Sequence, residues 1–520
     1  MSISSLSVAQ IRNLSTTAIQ SLSSTSIQSL TTTQVAAFTT TGIDALSAGQ
    51  FEALSTTQVR ALQTTQIPSI NSSVVFTSNQ LLALTAQQLN VLATAQVAAM
   101  ETTAIAGFSA SQIAGLSSTN LSSLDATQAG VLTTTQIASF STSQVQGLNA
   151  TDISELSSTQ VAAFTRTQMA RLGTEAVAAL DSAQVQAISA SVIQALTTTQ
   201  INSLEAADMA EFTTTQLASL STVQVRALST TLIGGLTTEQ VSSMTTSQLA
   251  AMSTTNLSAL DANQAASLTT TQLRALSTSQ IAGLDADDVA EFTTTQIGAL
   301  TNTQAQGLTS TQMGGLADTQ IQAFTATQVS ALSTTQIRNF TSDIFAALDA
   351  TQIGALTATQ VGAISTTNLN ALDSTKINLL NTTQVRGLNS VQIAALDATA
   401  LSGADATRIG SFTATQVRAL TTTQIGAMEG SDVAKFGTAQ IAALSNTQVA
   451  ALSSTGISDL GATQIAAFTT AQVQSISTTN LNAFSDTQLS ALTTTQVLRL
   501  STTQVAALTT GQVGALLSSQ

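Results

Sequence analysis

The fold this sequence predicts is an all-α solenoid, a superhelical rod of very short capped helices with one helix for every eight residues. Three observations predict it. One eight-residue sentence recurs along the chain, each sentence opens on a helix-start signal, and its two large apolar residues stand three positions apart. That spacing suits one face of a helix and would split across the two faces of a strand.

A clean instance of the sentence is Ser55-Thr56-Thr57-Gln58-Val59-Arg60-Ala61-Leu62. Cut at the small polar residue, residues 7–70 hold eight units, and residues 77–516 hold 55 more with no break in register. Residues 71–76, from Asn71 to Phe76, are a short irregular step. The organisation read from this is an N-terminal array over 1–70, the step at 71–76, and a continuous array over 77–520. A period this short makes each unit one element in a stack.

Position 1 is nearly always Ser, Thr, Asp, Asn or Gly, the residues that suit a helix N-cap. Position 4 is usually Gln, which gives capping-box spacing: the cap hydroxyl takes the amide of position 4, and the Gln reaches back to the amide of position 1. Position 5 is Val, Ile or Leu, and the residue before the cap is Leu, Phe, Ile or Met. Those two make a hydrophobic staple, as Leu54 and Val59 do around Ser55 and Gln58. On this reading Gln296 is one cap among dozens, and replacing it by Ala costs about 1 kcal/mol or less.

One continuous helix is excluded, because eight residues advance about 800° and the apolar stripe drifts by about 80° per unit. A β-solenoid is the alternative, since Thr and Val favour strands. Ala and Gly at positions 6 and 7 speak against it. A helix this short is not stable alone, so stacking must stabilise it. Val/Ile and Leu/Phe belong inside, and positions 2 and 3 outside. Two or three units per coil are expected.

Two longer rhythms are superimposed. In the long array Arg at position 6 recurs at Arg226, Arg274, Arg338, Arg386 and Arg418, always an even number of units apart, which predicts a two-unit helical hairpin as the structural repeat. Asn256, Asn368 and Asn480 recur every fourteen units, as do Leu232, Ile344 and Gly456, and delimit super-repeats 181–292, 293–404 and 405–516. Gene duplication accounts for them, as does a return to an equivalent face after each fourteen units.

The chemistry on offer is narrow. His, Cys, Trp and Tyr are absent, which removes Ser-His and Cys-His nucleophile pairs and imidazole or thiolate metal ligands. No catalytic, cofactor-binding or metal-ligating residue is assigned, no cofactor is expected, and the chain reads as a non-enzyme. Asp285, Asp287, Asp288 and Glu291 have calcium-binding chemistry, but Asp285 stands at the cap and Asp288 at the capping-box position. Glu205, Asp208 and Glu211 read the same way. Lys376, Lys435 and the position-6 arginines read as solvated. Pro68 at position 6 predicts a break or hinge.

With 13 basic against 27 acidic residues and a net charge of −14, a nucleic-acid partner is excluded as an expectation. No apolar run is long enough to span a bilayer, so no membrane insertion is expected. The chain opens with no basic segment followed by an apolar one, so export would use a route other than a recognisable Sec signal.

The sentence Leu-Thr-Thr-Thr-Gln-Val-Ala-Ala-Leu, closely matched at Leu30 to Phe38 and Leu492 to Leu500, resembles octapeptide tracts of large secreted or surface repeat proteins of Gram-negative bacteria. The resemblance implies an extracellular or cell-surface role in a matrix, filament or adhesin stalk, with no site residues carried over; a cytoplasmic location is the alternative. The function expected is a structural repeat protein that assembles head to tail into a rod, filament or surface matrix. Its partner is a second copy of itself. The alternative is an elongated scaffold or adhesin stalk presenting a Thr/Ser/Gln-rich face to cell-surface glycans or proteins.

Overall fold

The computed structural model describes residues 3–372 and 374–517, with the backbone alone at 374 and 517. The described residues form 62 α-helices and two 3-10 helices, and no strand. The protein is therefore an all-α solenoid with one short helix per unit, and the β-solenoid alternative falls. Two compact halves divide the chain, Met1–Leu268 and Thr269–Gln520.

Each helix follows from its eight residues. In Thr56–Arg60 the cap Ser55 is extended, at φ −70° and ψ 161°, and its Oγ accepts from the Gln58 amide at 3.3 Å. The Gln58 Oε1 accepts from the Ser55 amide at 2.8 Å. Both arms of the predicted capping box are formed. Val59 and Leu62 are 0% and 4% exposed, and Thr56 and Thr57 face solvent. The residue at position 8 ends the unit: Leu388 lies at φ −61° and ψ 131° after the helix Thr382–Gly387. One extended residue turns the chain into the next cap, so helices and corners alternate with the period of the sequence.

The coil is larger than the sequence rhythm suggested. Helices pack on the third helix along, as Ser158–Val161 does on Ser182–Ala187 in the first half and Ala358–Val361 on Thr382–Gly387 in the second. Position 4 reaches back 28 to 31 residues, as Gln58 does to Leu30 and Ile27. Position 6 reaches forward 25 residues, as Asn202 does to Ala227. A coil therefore closes after roughly 28 residues, about three and a half units. The expected two or three units per coil are too few, and the two-unit hairpin is not the structural repeat. Two short helices would leave no enclosed interior, whereas three to four around each coil let the large side chains at positions 5 and 8 converge.

The irregular step occupies a place in this coil. Gln80 and Gln88 reach back to residues 29, 28 and 26 positions earlier, two fewer than the regular 31, 30 and 28 of Gln58. Six residues thus stand in for eight. Val74 and Phe76 supply the buried pair, with the Phe76 ring edge-on to Phe51 at 5.0 Å, and the Asn71 Oδ1 accepts from the Ser73 amide to form the turn. Just before it, Pro68 sits in the 3-10 helix Ile67–Ser69, where a regular unit would hold an α-helix. Proline is tolerated there because the first turn needs no amide donor.

Candidate functional site

The most constructed feature of the fold is a seam of position-4 glutamines between successive coils. In nearly every unit this side chain is buried, and its two ends do different work. The Gln416 Oε1 accepts from the Thr413 amide at 2.8 Å, closing the cap of its own helix. Its Nε2 donates to the Val385 and Leu388 carbonyls at 2.8 Å each. Those carbonyls lie at the end of a helix of the preceding coil, where backbone partners run short; that of Val385 accepts from the Leu388 amide as well, at 3.2 Å. Gln136, Gln200, Gln312 and Gln472 repeat the arrangement. The sequence reading of this residue as a cap alone missed its second role.

The substitutes at position 4 show what the seam requires. Asn256, Asn368 and Asn480 are one methylene shorter; each donates to a single carbonyl 28 residues back and takes no part in a capping box. Lys376 donates to the Ala346 carbonyl at 2.8 Å and Arg408 to that of Leu380 at 2.9 Å. Asp432 brings no donor. Lys435, paired with it at 2.6 Å, points its Nζ at the Ala404 carbonyl, the one a glutamine in place of Asp432 would reach. At Asp152 the polarity reverses, and Ser122 of the preceding coil donates to the carboxylate at 2.6 Å. Both lysines, read as solvated from sequence, are therefore tied into the coil. So are three of the five position-6 arginines of the long array: the Nε of Arg226, Arg274 and Arg386 donates to the carbonyl 25 residues on.

The seam lapses beside the step. Gln96 should reach the unit that contains Pro68, but its Nε2 is buried with no partner. The next unit, which faces the step, carries Ala104 in place of Gln. Since Gln96 keeps only its cap bond, from the Ala93 amide at 3.0 Å, Gln96→Ala is expected to cost less than half of what the same change costs at Gln416. Chemical denaturation of the two variants checks this.

Of the acidic groups singled out by sequence, Asp285, Asp288 and Asp208 close helix caps. The Asp285 Oδ1 accepts from the Asp288 amide at 2.8 Å, and the Asp288 Oδ2 accepts from the Asp285 amide at 2.9 Å. The Glu205 amide donates to Asp208 at 2.6 Å. Among the described residues no group of three or more acidic side chains is placed to hold a metal ion. Glu211 is held above the ordinary carboxyl range by burial and then by Asp208 and Asp181, and Glu155 by burial and then by Asp152 and Asp125. Asp405 is lowered: burial opposes its charge, but the Arg408 amide and guanidinium outweigh it. The Thr399 amide lowers Asp397.

An acid with a raised folded pKa costs nothing while it is protonated in both states, and it lowers stability once pH rises through the folded value. Glu211→Gln is therefore expected to raise the melting temperature slightly at about pH 7 and leave it unchanged near pH 3. A variant less stable at neutral pH would contradict this.

No helix of the described residues is long and apolar enough to cross a membrane. The ALTTAQ repeat family matches the chain over residues 3–40, 201–238, 209–246, 266–302 and 425–462. No curated protein matches it. The chain is thus similar, in several separate stretches, to a family defined by its repeat, and it is a repeat protein of solenoid architecture, with the glutamine seam as the element that joins one coil to the next.

Proposed function

We propose that this chain is a structural scaffold that assembles by adding coil upon coil, a head-to-tail polymer forming an extracellular filament or surface matrix. The observation that carries the reading is the seam itself. Each coil offers carbonyls to the following one and donors to the preceding one, so the face of any coil is complementary to that of any other. Val505 and Val513 add to it. They are 50% and 38% exposed, although position-5 residues such as Val449 and Val473 are fully buried. One more coil, from a second copy or from further chain, would cover them. Contacts of this head-to-tail kind that do not close a ring give open filaments. Placement outside the cell rests on the resemblance of the repeat text. In this reading the chain is not an enzyme and has no nucleic-acid partner.

The alternative, a stalk offering a polar face to glycans or proteins, changes in one respect. Position-4 Gln is buried, so the outward face is made of Ser and Thr at positions 2 and 3. Sedimentation velocity over a wide concentration range tests the proposal. Concentration-dependent growth that Val505→Glu/Val513→Glu suppresses supports it. A single species at every concentration rules it out.

A further inference from the structure

Charge is sorted around the coil. In the second half Asp405, Asp432, Asp459 and Asp486 follow one another at intervals of 27 residues, close to the roughly 28 residues of one coil. Asp287, Asp318 and Asp343 follow one another at 31 and 25 residues, the same interval within the observed reach. In the first half Asp125, Asp152, Asp181 and Asp208 are spaced in the same way. The stacking is physical, because Asp125 and Asp181 raise the pKa of Glu155 and Glu211 on the next coil.

The cations on this side are consumed within the chain. Arg408 pairs with Asp405, Lys435 with the buried Asp432, and Lys376 donates to the Ala346 carbonyl, so the free charge of this face comes from the exposed Asp318, Asp343, Asp459 and Asp486. Most of the exposed arginines stand elsewhere, although Arg338 lies five residues before Asp343. Arg274 lies 13 residues before Asp287, Arg418 lies 13 after Asp405 and 14 before Asp432, and Arg499 lies 13 after Asp486. In the first half Arg166 lies 14 after Asp152, and Arg226 lies 13 before Glu239. Half of a coil of roughly 28 residues separates each arginine from the acidic column, which places it on the opposite side. Each half of the chain, taken by itself, carries an acidic face and an arginine face.

We propose that copies of this chain pack side by side, the acidic face of one against the arginine face of the next. The occupant is a second copy because this chain carries both complementary surfaces. A pairing of unlike faces leaves one of each kind free on every copy, so association propagates laterally. The side chains chosen for the test, Arg418, Arg499, Asp318 and Asp486, are exposed and stand outside the glutamine seam, and the interface holds whether or not chains also stack end to end.

The test uses sedimentation velocity and negative-stain electron microscopy of the full chain at low and high salt. Lateral association is expected at about 20 mM salt and is expected to weaken at least about tenfold at about 500 mM, as charges between exposed faces are screened. Arg418→Glu/Arg499→Glu is expected to abolish it, as is Asp318→Lys/Asp486→Lys. An equimolar mixture of the two variants is expected to restore it. Circular dichroism verifies that both variants are folded. If the glutamate variant melts early, Arg418→Gln/Arg499→Gln makes the same comparison. Single chains at low salt, association indifferent to salt, or a mixture that stays dispersed would overturn the proposal. Growth only end to end would overturn it too and leave the stacking proposal standing.

Discussion

Gln416→Ala is expected to destabilise its coil by about 2–4 kcal/mol, far more than a cap substitution on a free surface. The change strips a partner from the Thr413 amide and from the Val385 and Leu388 carbonyls, around a side chain that is 3% exposed, while the Val385 carbonyl keeps the Leu388 amide. A buried polar group left without a partner costs about 1–3 kcal/mol, and water entering the gap recovers part of it. Gln416→Asn should cost about half as much, since Asn480 shows that the shorter amide still reaches one carbonyl, at 2.7 Å. Because stability in such arrays is carried between neighbours, the loss should be concentrated locally. Hydrogen exchange should quicken at 385–388 and 413–420 and stay unchanged three coils away. Thr415→Ala, on the outer surface, should do nothing measurable. If Gln416→Ala and Thr415→Ala behaved alike, the seam would be a by-product of packing.

The second large effect is expected at a glycine. Position 7 lies against position 2 of a unit in the preceding coil, and a Cβ added at Gly387 would collide with the Ala358 carbonyl oxygen and stand 2.8 Å from the Ala358 Cα. Those are backbone atoms, which yield only if the two helices part. Gly387→Ala should therefore cost about 1–3 kcal/mol, the range for overpacking a filled site. Gly354 is the opposite case. It is a helical residue at exposed position 6 with open space around its Cα, so Gly354→Ala should stabilise by about 0.5–1 kcal/mol through reduced backbone freedom in the unfolded chain. Two identical substitutions with opposite signs make a sharp comparison in chemical denaturation. Equal effects would mean that the helices of successive coils are not in contact at Gly387.

Sequence made the local part of this structure readable. Caps, staples and the inward placement of positions 5 and 8 depend on residues within one unit of each other, as Leu54, Ser55, Gln58 and Val59 do. The long-range part was not readable, because neighbouring coils carry the same text: a repeat every eight residues is compatible with any number of units per turn. The even unit spacing of the arginines pointed to a hairpin, yet three of them, Arg226, Arg274 and Arg386, bond 25 residues away. One signal could have exposed the seam. A capping box uses only the Oε1 of Gln and leaves its amide donors unassigned, and Lys376, Arg408 and Asn256 at the same position all keep a donor while discarding the box. The lapse at Gln96 was visible only as Pro68 and an irregular step, with nothing to say which later unit would face them.

Cysteine pairing tests the coil most directly, because the chain has no cysteine of its own. A Cβ built on Gly307 stands 3.4 Å from the Thr278 Cβ of the preceding coil, within about the separation a disulfide spans. Under mild oxidation Thr278→Cys/Gly307→Cys is expected to cross-link efficiently within one chain, and Gly307→Cys/Ala323→Cys, two units apart, is expected to stay reduced. Cross-linking of the two-unit pair with none between Thr278→Cys and Gly307→Cys would contradict a coil of three and a half units.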